Sequence, residues 1–359
     1  MLGLYIHVPF CRKKCNYCDF VSVPAEGEPV SRYIESACLE MKRYSGTKIS
    51  TVYVGGGTPS ILSNENIARL LKEVYKTFDC SETGEITFEA NPESLEFTKL
   101  AVLKSLNVNR LSMGVQSFDA AELNNLGRVH SVADFENAYS NARALAFKNI
   151  GFDLIYGLQD QPFSLWKENL RKAVSFGPEH ISLYPLTIEE GTAFFFKAAK
   201  IDEALQARIY EWSTNFLKSK GYEQYEISNW AKKGFRCMHN LNYWHNGEYV
   251  GIGVSAASHL NSKRFKNTPD VKVYIEKLRD NEDTREESEN IDPEKKLSEE
   301  IILALRCSQG IRWTDEKHAK YSHVLEDLMK ASLLERVDSN VRLTKKGKLF
   351  ANQVMMRFV

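Results

Sequence analysis

Apolar and polar positions along this chain follow two periods that take turns. Short runs rich in β-branched and aromatic residues recur at 4–7, 50–54, 85–89, 110–115, 150–155 and 180–184. Each is closed by turn-forming or polar residues, such as Gly55-Gly56-Gly57, Asn91-Pro92, Tyr156-Gly157 and Pro185. These are six expected strands. Between them, apolar residues return every three to four positions, as on a helix that buries one face. Ile67, Leu70, Leu71, Val74 and Phe78 follow the cap-like Ser63-Asn64-Glu65. Leu100, Leu103 and Leu106 form a second stripe, and Phe135, Ala138, Tyr139, Ala142 and Leu145 a third. Repeated strand–helix alternation predicts an α/β fold with a parallel sheet, open or curved into a partial (β/α)6 barrel. Ligands of such sheets sit at the carboxyl ends of the strands.

The pattern changes after a long helix expected over 202–220. Residues 222–265 are rich in aromatic, Asn, His and Gly residues, and Gly251-Ile252-Gly253-Val254-Ser255 reads as a backbone turn against the barrel. Residues 271–300 are densely charged and read as a solvated helix and linker. From Leu297 onward come two helices, two short strands joined by Asp338-Ser339-Asn340, and a final helix, which suggests a small winged-helix-like unit. The expected division is a core of residues 1–232 and a mainly helical C-terminal domain of residues 233–359.

Composition narrows the class. With 359 residues, 43% of them hydrophobic and 26% charged, the chain can bury one large core plus an appendage. A formal net charge of zero argues against bulk binding to nucleic acid, and the patch of Arg342, Lys345, Lys346 and Lys348 reads as a solvated wing. No apolar run approaches a membrane span, and the stretch before Pro9 is too short for a signal peptide. Seven cysteines without framework spacing point to a reducing cytoplasm.

Three of those cysteines are clustered: Cys11, Cys15 and Cys18. A structural zinc site wants four ligands, commonly as pairs of CxxC, and no second pair follows. Three thiolates on one loop can instead hold three irons of a [4Fe–4S] cube, leaving the fourth iron open. Other unusual residues fall at successive strand ends. Gly55-Gly56-Gly57-Thr58-Pro59 lets backbone approach a ligand. Glu89, Gln116 and Asp153 end the next strands, and Arg128 follows in a helical region. Singly they read as a turn residue, a helix cap or a surface charge; together they form a ring around one cavity.

The C-x-x-x-C-x-x-C spacing after a first strand, with Tyr17 before the last cysteine, resembles the radical S-adenosylmethionine superfamily. That resemblance implies a [4Fe–4S] cluster on Cys11, Cys15 and Cys18, whose open iron is chelated by the methionine part of the cofactor. Electron transfer then yields a 5′-deoxyadenosyl radical. The strings Tyr5-Ile6-His7-Val8-Pro9-Phe10-Cys11, Gly114-Val115-Gln116-Ser117-Phe118 and Asp153-Leu154-Ile155-Tyr156-Gly157-Leu158 look like the oxygen-independent coproporphyrinogen III oxidase branch, over nearly the whole chain. Carried over, Tyr5, Gly56, Gly57, Thr58, Glu89, Gln116, Arg128 and Asp153 would line the S-adenosylmethionine site, with Tyr17 acting through contacts near the cluster. The true oxidases of that branch carry a further Cys two residues past the cluster and a longer N-terminal extension. Here the position is Phe20, and ten residues precede Cys11. Both departures resemble the HemW-type heme chaperones, as does the string His239-Asn240-Leu241-Asn242-Tyr243-Trp244.

The resemblance implies heme binding through His239, Asn240, Tyr243 and Trp244, with Cys237 and His245 as alternative iron ligands and ordinary packing as the plain reading of His239. It implies heme and recipient hemoproteins as partners, those of the respiratory chain included, and leaves membrane contact and a homodimer open. The alternative is radical oxidative decarboxylation of coproporphyrinogen III.

Overall fold

The computed structural model describes residues 2–26 and 29–359. Twelve strands form one sheet. The first six are β1 (Leu2–Val8), β2 (Thr51–Gly56), β3 (Glu85–Ala90), β4 (Arg110–Gln116), β5 (Ile150–Tyr156) and β6 (His180–Pro185). They pair parallel in chain order, so the six expected strands are present and adjacent as a partial barrel. The rest are β7 (Glu223–Glu226), β8 (Asn229–Ala231), β9 (Glu248–Ile252), β10 (Ala257–Leu260), β11 (Lys263–Asn267) and β12 (Arg285–Asn290). The sheet order is β12-β11-β10-β9-β1-β2-β3-β4-β5-β6-β8-β7.

The strands alternate inside out. On β4, Leu111, Met113 and Val115 are wholly buried under the helices, while Arg110, Ser112, Gly114 and Gln116 line the barrel cavity. On β6, Ile181 and Leu183 face the helices and His180, Ser182 and Tyr184 face the cavity. The period of two thus sorts apolar residues outward and polar ones inward. The helices that cover the outer face begin where the sequence signals them. Ser63 accepts the Asn66 N–H, and Ser131 with Asp134 forms a capping box on the helix Val132–Ala144. Asp202 caps the long helix Glu203–Ser219.

Three expectations change. Residues 251–252 are not turn but strand β9, parallel to β1. Gly251 has no side chain because a Cβ there would come within 2.1 Å of the Ala257 carbonyl oxygen. The charged stretch after residue 280 is not a linker throughout: Arg285–Asn290 is β12, the exposed edge strand. Charges on an edge discourage pairing with another chain, so the same residues that suggest a solvated linker suit a sheet margin. Asp153 lies mid-strand in β5 rather than at its end.

The sheet runs on past residue 232, and a separate hydrophobic cluster begins only at Leu297. That cluster packs the helices Pro293–Leu305 and Asp315–Lys330 against a three-stranded sheet. Besides the two expected strands it contains Ile311–Arg312, and the last helical segment is split into Lys345–Leu349 and Ala351–Met355. The unit is tied to the barrel where Ile227 N–H donates to the Arg306 carbonyl (3.1 Å) and Arg306 meets the buried Glu226 (3.4 Å). Among the described residues no helix is long and apolar enough to cross a membrane.

Candidate cofactor site

The cysteine loop leaves β1 at the carboxyl end of the barrel. It is pinned on both flanks. Val23 N–H donates to the Pro9 carbonyl (2.7 Å), Ala25 N–H to that of Cys11 (2.9 Å), and Asn16 N–H to that of Leu126 (3.0 Å). Its sulfurs meet donors: the Thr58 hydroxyl at 3.4 Å from Cys11 Sγ and Arg128 Nη1 at 3.6 Å from Cys15 Sγ. A Cβ on Gly57 would lie 2.9 Å from Cys11 Sγ, so glycine leaves the sulfur its room. Burial raises the Cys11 thiol pKa and pushes that of Cys18 up to about 11. Thiols held protonated in this way become good ligands once a cation offsets the burial.

Below the loop is a cavity of about 350 Å³, within the range of a single small ligand. Cys11, Cys15, Tyr17, Cys18, Gly56, Gly57, Thr58, Glu89, Gln116, Arg128 and Asp153 all line it. Glu89 is held by two donors, the Tyr53 hydroxyl (2.6 Å) and Gly56 N–H (3.2 Å), and burial raises its pKa to about 7. Arg128 is no surface charge. Its Nη2 donates to Asn91 Oδ1 (2.7 Å) and to the Gly114 carbonyl (3.0 Å). Gln116 has φ +64° at a register shift in β4, a left-handed conformation uncommon for a non-glycine residue. Asp153 accepts from Ser112 Oγ (3.0 Å), and burial raises its pKa. Tyr5 stands apart from the cavity lining, with its hydroxyl on His7 Nδ1 (2.9 Å).

At the opposite end, the helix Met238–Trp244 plugs the barrel. Glu85 accepts the N–H groups of Met238 (3.0 Å) and His239 (3.1 Å). His239, expected as a heme ligand, is 1% exposed, and both ring nitrogens are engaged: Nδ1 with Thr51 Oγ1 (2.9 Å), Nε2 with the Tyr243 hydroxyl (2.8 Å). It stacks on Tyr53 at 5.1 Å, and burial lowers its pKa to about 3. In this arrangement both nitrogens are spent on protein partners, as the packing reading of His239 requires. Tyr243 is committed to His239, and Trp244 lies under the Arg306 guanidinium at 4.5 Å. Asn240 alone of the four lines the cavity. Cys237 is buried and His245 exposed.

Residues 5–173 match the radical SAM superfamily and residues 291–350 the HemN C-terminal domain. The heme chaperone HemW of Bacillus subtilis is 34% identical over 100% of this chain and 99% of its own length. The chain belongs to the HemW family. The heme chaperone HemW of Escherichia coli is 39% identical over 71% of this chain and 69% of its own. In fold, this HemW-family chain superposes on the coproporphyrinogen III oxidase HemN of Escherichia coli with a TM-score of 0.87, over 99% of this chain and 89% of that one, at 22% identity.

Membership of the radical SAM superfamily implies a [4Fe–4S] cluster and S-adenosylmethionine. The donor set fits. Among the described residues, no three His, Cys, Asp or Glu side chains converge on one metal ion. The loop's thiols suit a cube that takes each sulfur on a different iron. Several lining residues had no place in the sequence reading of the site: Tyr53, Asn91, Arg110, Ser112, His180 and Ser182. Apart from Asn91, which follows β3, they lie at alternate positions of otherwise apolar strands.

Proposed function

We propose that this chain binds heme and hands it to hemoproteins, those of the respiratory chain included, in a reducing cytoplasm. Cys11, Cys15 and Cys18 hold three irons of the cluster, and Gly56, Gly57, Thr58, Glu89, Gln116, Arg128 and Asp153 hold S-adenosylmethionine. The cluster supplies an electron when bound. The chain's own residues orient the cofactor: Glu89 accepts from ribose hydroxyls, and Arg128 sets the position of Gly114 and Cys15.

The observation that carries the chaperone reading over the decarboxylase is Phe20, which is 62% exposed where the oxidase branch has its extra cysteine. Phe20, the exposed Tyr184, Lys13 and Lys14 all line the cavity. Aromatic faces and ammonium groups suit a flat apolar ring with two carboxylate arms, which supports heme docking at this rim rather than at His239. Anaerobic titration of the reconstituted protein with heme, run beside product analysis with coproporphyrinogen III, tests the reading. Saturable Soret change without vinyl product is expected, with Phe20→Ala weakening binding about tenfold. Vinyl product over many turnovers would sink the chaperone role.

A further inference from the structure

Arg110 is 2% exposed, and its Nε and Nη1 are buried without a hydrogen-bond partner. Nitrogen donors taken from water without a partner are costly, even where acidic neighbours offset the charge. Glu85, whose charge acts on Arg110, spends its oxygens on Met238, His239 and the Cys237 thiol. Two strands away, His180 is 1% exposed with Nδ1 buried and unpartnered. Its Nε2 lies 2.8 Å from the Tyr225 hydroxyl, which accepts from Cys237 N–H (3.4 Å). With the Tyr225 hydroxyl donating to Nε2, a neutral His180 would carry its proton on Nδ1 and offer it to a ligand. Burial, with Arg110 beside it, keeps the ring neutral.

The two groups converge. Gly151 lies on β5, between the strands that carry them. A Cβ on Gly151 would sit 3.3 Å from His180 Nδ1 and 3.4 Å from Arg110 Nη2. His180 Nδ1 and the Nη2 end of the Arg110 guanidinium therefore border the same small space, which glycine keeps open. Arg110 and His180 line the cavity, as do Ser112, Ser182 and Asn240.

We propose that the barrel floor is a carboxylate-binding subsite, with Arg110 and His180 as its donors. A planar guanidinium matches a carboxylate better than it matches a single water. The ligand is a short-chain acid or the carboxylate arm of a larger molecule; only the second source, a heme propionate, rests on the function proposed above.

Thermal unfolding of the cluster-reconstituted full chain tests this, with sodium propionate replacing sodium chloride at constant ionic strength and propionamide as the neutral control. Propionate should raise the midpoint saturably, and propionamide should not. Arg110→Met should abolish the propionate effect. Should that variant not fold, Arg110→Lys, which keeps the charge without the planar fork, should weaken propionate binding at least threefold. No shift beyond propionamide in the native chain, or an equal shift in the variant, overturns the subsite. Heme and its dimethyl ester then separate the sources. A preference for heme that Arg110→Lys removes assigns the arm to the porphyrin. A preference that survives assigns the subsite to a free acid. The propionate shift needs no heme, so its failure is distinct from failure of the chaperone reading.

Discussion

At the mouth of the barrel, Cys11, Cys15 and Cys18 stand on a loop whose backbone is pinned but whose sulfurs open into the cavity. At the floor, His239 bonds to Thr51 on one side and Tyr243 on the other, and stacks on Tyr53. Both regions carry residues that bind metals elsewhere. Mouth and floor differ in spare capacity. A side chain whose hydrogen-bonding atoms are all spent holds the fold together, and one whose atoms are left over holds something else. By that criterion Arg110 and His180 belong with the mouth, although they lie beside the plug.

The contrast can be broken most directly at the cysteines. Cys15→Ala should cut iron content after anaerobic reconstitution from about four per chain to below about one, while far-ultraviolet circular dichroism stays unchanged. Loss of the fold along with the iron would mean that the loop is structural too. The opposite outcome is expected at the plug. His239→Ala removes a stacked ring and strands Thr51 and Tyr243, which should cost about 4 kcal/mol in urea unfolding with iron content and heme affinity kept. A stable variant that loses heme binding would reverse the two roles.

A smaller effect sharpens the boundary between the regions. Glu89 has a folded-state pKa of about 7 against an ordinary value of 4.5, because burial penalises its charge. Its native state therefore keeps a proton that the unfolded chain has lost. This contribution is fully present below pH 4.5 and is lost as pH rises through about 7. Relative to Glu89→Gln, the native chain without ligand should lose roughly 3 kcal/mol over that range. Parallel stability curves for the two proteins would show that Glu89 is already ionised.

Much of this arrangement is written in local sequence. Turn residues bound the six parallel strands, and Ser63, Ser131 and Asp202 start their helices as short polar caps should. Gly56, Glu89 and Gln116 are legible because sheet topology brings strand ends together, whereas Asp153 reaches the cavity from mid-strand and Arg128 from outside the sheet. Other features depend on long-range partners. Gly251 looks like a turn until the Ala257 carbonyl beside it is known, and the charges of Arg285–Asn290 look solvated whether or not the backbone pairs. His239 carries no mark in sequence that Thr51, far away in the chain, takes its Nδ1. Arg110 and His180 were visible only as breaks in apolar runs, with a meaning that required the inward direction of the alternate positions.

That inward-polar, outward-apolar alternation separates two tasks on every strand. Leu111, Met113 and Val115 answer to the helices; Arg110, Ser112 and Gln116 answer to whatever occupies the barrel. Change on one set need not disturb the other, so the lumen can be rewritten while the shell stays put. A lineage of such barrels is free to exchange its chemistry one inward residue at a time, without passing through an unfolded ancestor.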